Sequence, residues 1–209
     1  PGGRSRRAVR PSRGFSRRLG VHEQGRSAPH ARLAAQEAVD PTVQVTVEAT
    51  GTLLVGSDIA AAATVVRALD AQGMGLNCAT GPQEMGEHVK FLGETWPGAI
   101  SIQPNAGLPE LVDGKARYGL TADELARWLE RFILEDGINL VGGCCGTNIP
   151  HIKALDAMLR RLAKPGEIRP RPVAKARKWT PSLASLYGQV PLRQELAYLS
   201  IGERCNANG

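Results

Sequence analysis

From Pro41 to Ala163, short β-branched or apolar runs alternate with longer runs of helical periodicity, and this alternation constrains the fold more than any other feature of the chain. Residues 43–47, 74–78, 99–103 and 138–141 read as strands, each followed by polar or glycine-rich residues and then a helix. Helices are expected over 58–72, 83–95, 122–136 and 149–163. Strand–helix repetition of this kind builds βα units on a parallel sheet, an α/β fold. Thr121, with Glu124 three positions on, predicts a capping box, because the two side chains satisfy backbone donors left orphaned at a helix start. Leu125, Trp128, Leu129 and Phe132 then recur at helical spacing and give one apolar face, expected to pack on the sheet. His88 and His151 fall on helices and are expected to be solvated.

The flanks differ in composition. Residues 1–40 hold 9 Arg, no Lys and 3 acidic residues, which account for the whole net charge of +6. This segment lacks apolar periodicity, so a disordered basic tail is expected. It reads as a nucleic-acid arm, a targeting sequence or a stretch translated out of frame. The remaining basic and acidic residues cancel, so the βα region is electrically neutral and no nucleic-acid partner is expected for it. Residues 164–196 carry Pro165, Pro170, Pro172, Pro181 and Pro191, which deny regular structure and predict an extended linker. Residues 197–209 look like a strand opening a further domain.

No run approaches the ~18 apolar residues of a membrane-spanning helix, and no signal peptide opens the chain. Cys78, Cys144, Cys145 and Cys205 are too few and too unevenly placed for a disulfide scaffold. A soluble cytoplasmic protein is therefore expected, with its cysteines in metal or catalytic use; the alternative for each is a small buried hydrophobe.

Four βα units make half of an eight-unit barrel or most of an open sheet, and periodicity does not decide between them. Cys78 ends the second strand, while Cys144 and Cys145 follow the fourth, so all three fall where barrel enzymes carry functional side chains. Adjacent cysteines in a strand point to opposite faces, so both reach one metal only where the backbone has left the strand. Gly142, Gly143 and Gly146 are expected to supply that freedom. Three thiolates suit zinc and leave a fourth tetrahedral position for a substrate. Their net charge with the metal would be −1, which suits activation of a thiol for alkylation. Three unrelated buried cysteines are the competing reading. Asn105, at the end of the third strand, is a candidate for the open metal position until substrate displaces it, or else a turn residue.

The segments GLNCATGP (75–82), PNAGLPE (104–110) and VGGCCGT (141–147) resemble, in order and spacing, the homocysteine methyltransferase family. VTVEATGTLLVGSDI is similar to the strand and loop leading into that family's fifth helix. The resemblance implies a (βα)8 TIM barrel, of which about four βα units are expected here, over 41–163. It also implies that Cys78, Cys144 and Cys145 bind the zinc that activates homocysteine. Glu48 and Asn77 are candidate substrate contacts, against a solvated carboxylate and a structural hydrogen-bonding residue. Residues 181–209 are similar to the junction at which the barrel of multidomain, cobalamin-dependent members meets a folate-binding domain, so Cys205, Asn206 and Asn208 are implied pterin-site residues. The implied reaction gives methionine, with methylcobalamin as donor, recharged by methyltetrahydrofolate. The rivals are a stand-alone enzyme using a betaine or sulfonium donor and a non-catalytic zinc-binding fragment. A half barrel exposes two sheet edges, so a fragment inactive alone is expected.

Overall fold

A computed structural model describes residues 42–164 and 176–193, all within one compact unit. The expectations for 1–40, for the strand after Ala197 and for Cys205, Asn206 and Asn208 fall outside these residues.

Four strands form a parallel sheet in the order β1 (Thr42–Val45), β2 (Gly73–Asn77), β3 (Ala99–Gln103) and β6 (Leu140–Val141). Between and after them lie α1 (Ile59–Ala68), α2 (Pro82–Thr95), α3 (Ala122–Asp136) and α4 (Ile149–Leu162). The four strand–helix units agree with the sequence reading, with ends moved by a few residues. The largest shift is at α1, expected to continue to Gln72. It stops at Ala68, and Asp70 turns out of the helix at φ +55°, which places buried Ala71 against the core.

One strand parity makes the core. Val43, Val45, Met74, Leu76, Ile100 and Ile102 pack with the apolar stripes of the helices, including Val66, Val89, Leu92, Leu129, Phe132 and Leu155. The other parity is small or polar. Gln44 reaches across Gly75 to donate to Ser101 Oγ at 2.8 Å, and a Cβ on residue 75 would block that path. α3 begins with the expected capping box, Thr121 Oγ1 accepting from Glu124 N and Thr121 N donating to Glu124 Oε2, and ends at Gly137 in the left-handed region.

Two short antiparallel pairs were not expected. β4 (Pro109–Val112) and β5 (Lys115–Tyr118) form a hairpin between β3 and α3. Asp113 and Gly114 at its tip both have positive φ, the requirement of the tight turn that matches strand twist. β7 (Ser182–Ala184) and β8 (Gln189–Pro191) correct the expectation that prolines deny structure through this stretch. Pro181 precedes β7 and Pro191 closes β8, positions where a missing N–H costs no central ladder bond. Residues 176–193 also pack as a strap. Trp179 meets Trp96 edge to face at 6.1 Å, and Arg177 donates to Gly98 O and Gly137 O, each at 2.6 Å. Gln189 Nε2 donates to Thr64 Oγ1 on α1.

Candidate metal centre

Three loops at the C-terminal ends of β2, β3 and β6 meet at one place. Cys78 follows Asn77, the last residue of β2, and the chain turns sharply there. Cys78 and Ala79 both lie in the left-handed region, at φ +63° and +57°. Two successive non-glycine residues in that region cost about 1–2 kcal/mol each. Cys78 N donates to Gln103 O and Thr80 N to Cys78 O, and these bonds hold the turn. The sequence reading assigned backbone freedom to Gly142, Gly143 and Gly146 of the other thiol-bearing loop. In the Cys144–Cys145 loop only Gly146 has positive φ, at +79°. Gly142 and Gly143 do not need it; a Cβ on Gly143 would instead collide with Thr147.

The β3 loop joins the other two. Pro104 O accepts from Cys144 N at 2.8 Å, Ala106 N donates to Cys145 O at 2.9 Å, and Asn105 N donates to Thr80 O at 3.0 Å. The Asn105 side chain is buried, and its amide oxygen accepts from Cys145 N at 3.1 Å. The thiol-bearing turns are thus tied together through backbone groups that would otherwise be orphaned.

The result is a sulfur triangle. Cys78 Sγ lies 3.7 Å from Cys145 Sγ, Cys144 Sγ lies 3.9 Å from Cys145 Sγ, and all three sulfurs lie within 4.8 Å of one another. Thiolates about 2.3 Å from a tetrahedral zinc ion stand about 3.8 Å apart, so two edges of the triangle already have the spacing that the metal requires. All three cysteines are free of disulfides, and the donor set is soft.

The local field separates the thiols. The Ala79 backbone N–H draws the Cys78 thiol below its ordinary value against an opposing effect of burial, helped by the neighbouring thiols. Burial, followed by hydrogen bonding with Cys78, pushes Cys144 up to about 11. The Glu48 charge opposes this lowering at Cys78; β1 ends at Val45, and half-buried Glu48 lies in the loop beyond it. Asn77 is half-buried beside Cys78, in register with Gln103.

Two residues depart from the sequence reading. His151 is buried rather than solvated: Nδ1 pairs with Asn148 Oδ1 at 2.6 Å and Nε2 with Leu120 O at 3.0 Å, so it ties the start of α4 to the loop beneath the site. His88 is half-buried, and burial lowers its basicity. One neighbour of the site was missed altogether. Tyr118 ends β5, and its ring lies against Gly146, the residue after Cys145. Its signal lies forty residues from Cys78 in sequence, in a hairpin that was not read as one.

Residues 26–159 match the family described as homocysteine S-methyltransferase, a span beginning ahead of Pro41. The chain is also 48% identical over 165 residues to the methionine synthase of Mycobacterium tuberculosis, covering 79% of this chain and 13% of that relative. It is 48% identical over 167 residues to the methionine synthase of Mycobacterium leprae, covering 80% of this chain and 14% of the relative. The chain thus spans about one seventh or less of the length of these curated relatives. With the matched family segment covering the sheet, nearly all of the helices and both thiol-bearing turns, the chain belongs to the homocysteine S-methyltransferase family.

Proposed function

We propose that Cys78, Cys144 and Cys145 hold a zinc ion and that the protein serves methyl transfer to the sulfur of homocysteine, giving methionine. The observation that carries this reading is the sulfur triangle, with edges of 3.7 and 3.9 Å at the C-terminal ends of parallel strands. Zinc, when bound, supplies Lewis acidity that favours the thiolate form of a substrate thiol at neutral pH. The chain's own residues do the positioning. Pro104 O and Asn105 Oδ1 fix the backbone of Cys144 and Cys145, and Gln103 O fixes that of Cys78. Direct ligation by Asn105, the other role considered for it, would use the second lone pair of an amide oxygen that already accepts from Cys145 N. Glu48, whose charge reaches Cys78, is suited to the ammonium group of an amino-acid substrate, and Asn77, the residue before Cys78, is a second proposed substrate contact. In the transfer an S–CH3 bond forms on homocysteine, the methyl carbon parts from its donor, and the thiol proton is released.

The name of the relatives, methionine synthase, favours methylcobalamin as donor, recharged from methyltetrahydrofolate, in a protein of their length. The 165-residue likeness is too long to fit within residues 26–159, so it reaches beyond the family segment. Asn206 and Asn208 are proposed pterin contacts on the same grounds. The sheet supports a partial TIM barrel. Its strand order follows the chain without reversal, and one face supplies the core beneath the helices, whereas a doubly wound sheet reverses at a switch point. Free thiols favour a reducing, cytoplasmic setting, and among the described residues no helix is long and apolar enough to cross a membrane.

Calorimetric titration of the zinc-loaded chain with homocysteine tests the reading. Binding near one per chain, lost in Cys144→Ala, is expected. A chain that holds zinc but does not bind homocysteine would contradict it.

A further inference from the structure

Cys145 is the exposed member of the thiol cluster, while Cys78 and Cys144 are half-buried. Packing therefore does little to hold its sulfur, and the position of that sulfur depends on the main chain beneath it. That main chain belongs to a closed ring of hydrogen bonds. Ala106 N donates to Cys145 O at 2.9 Å, and Leu120 N donates to Ala106 O at 2.9 Å. Leu120 O in turn meets His151 Nε2 at 3.0 Å. A carbonyl oxygen accepts and does not donate, so Nε2 carries the hydrogen of that bond. On the other side of the imidazole, Nδ1 lies 3.3 Å from Asn148 N and 2.6 Å from Asn148 Oδ1. Asn148 is the N-cap of α4 and stands three residues after Cys145, so the covalent chain completes the ring.

His151 is the side chain that closes this ring; the Ala106 and Leu120 links are backbone to backbone. Ala106 and His151 are both buried, at 0% and 7% exposure, so water does not readily stand in for a broken link. Without the Nε2 donor, Leu120 O loses its partner, and the first turn of α4 is no longer tied to the residue that precedes the Thr121 cap of α3. The Asn148 cap and the turn at Gly146, where φ is +79°, are then free to shift, and Cys145 shifts with them.

We propose that His151 is a positioning residue for the metal centre: by donating from Nε2 to Leu120 O it closes the ring that fixes the main chain of Cys145, and so sets how tightly the exposed thiolate is held on the metal. The inference rests on the metal–thiolate reading above. Outer partners that orient metal ligands contribute about 10–100-fold to metal affinity. His151 acts through the main chain rather than on the sulfur, so the lower end of that range applies.

The test is zinc affinity, by competition with a chromophoric chelator, in the full chain and two variants, each checked by circular dichroism to be folded before metal is added. His151→Asn keeps an amide beside Asn148 but is too short to reach Leu120 O. His151→Gln places an amide N–H close to where Nε2 stands. Zinc binding about tenfold weaker in His151→Asn is expected, with most of that loss restored in His151→Gln. A role in global stability alone would leave the affinity of the folded chains unmoved. Unchanged affinity in His151→Asn would therefore overturn the proposal, as would equal weakening in both variants, which marks the packing of the imidazole rather than its donor. A His151→Asn chain that does not fold would overturn it as well, because the bond would then serve the fold as a whole. If the unsubstituted chain takes up no zinc, the metal-centre reading itself fails and this inference falls with it.

Discussion

Asn105 acts on the cysteines through the main chain. Its side chain is buried, and its amide oxygen accepts from Cys145 N, a donor with no other partner on its own turn. Truncation would remove the partner of that N–H, a loss of about 0.5–1.5 kcal/mol. Residues that orient metal ligands commonly contribute about 10–100-fold to metal affinity. Asn105→Ala is therefore expected to weaken zinc binding by at least about tenfold in a chelator competition, on the basis of that range. Unchanged affinity would show that the Pro104 and Ala106 backbone bonds suffice. The same residue marks a limit of sequence reading. An Asn before Ala-Gly is visible as loop chemistry, and its closeness to the cysteines follows from strand order. The partner of its oxygen depends on a loop conformation that no spacing rule fixes.

At the level of elements, the parallel strands and four helices were legible because their signals are local. Apolar runs of strand length, the Thr121–Glu124 box and the stripe on α3 each follow from a few neighbouring residues. The two hairpins were less so. The Asp113-Gly114 turn was present in the sequence, but its flanking strands are short and largely exposed, without the alternation that marks a half-buried strand. The strap at 176–193 was obscured by its prolines, and what orders it is tertiary. Arg177 bridges the carbonyls of Gly98 and Gly137, joining the approach to β3 with the end of α3, while Trp179 packs on Trp96. Arg177→Ala should leave two acceptors short of donors and lower unfolding stability by about 2 kcal/mol, from the usual value of hydrogen bonds to charged groups. Urea denaturation of the full chain checks this. A change below about 0.5 kcal/mol, the range of ordinary surface substitutions, would mean that the strap rests on the core without bracing it.

Across the whole molecule, the sheet has β1 and β6 as its outer strands among the described residues. On the β6 side Leu140, Ile149 and Ile152 are exposed, an apolar margin where a closed barrel would continue. The thiol cluster does not depend on that margin for its ligands. Cys78, Cys144 and Cys145 all come from the described sheet, and the bonds that fix them run among the β2, β3 and β6 loops. The metal centre is accordingly expected to assemble in this chain as it stands, and bound metal should stabilise it because zinc binds the folded arrangement better than the unfolded one. The most direct test is metal analysis of the full chain, purified with zinc under reducing conditions, beside a variant carrying Cys144→Ala and Cys145→Ala. One zinc per chain, lost in the folded variant, is the predicted result. A folded, reduced chain that retains no zinc would contradict the account at its centre.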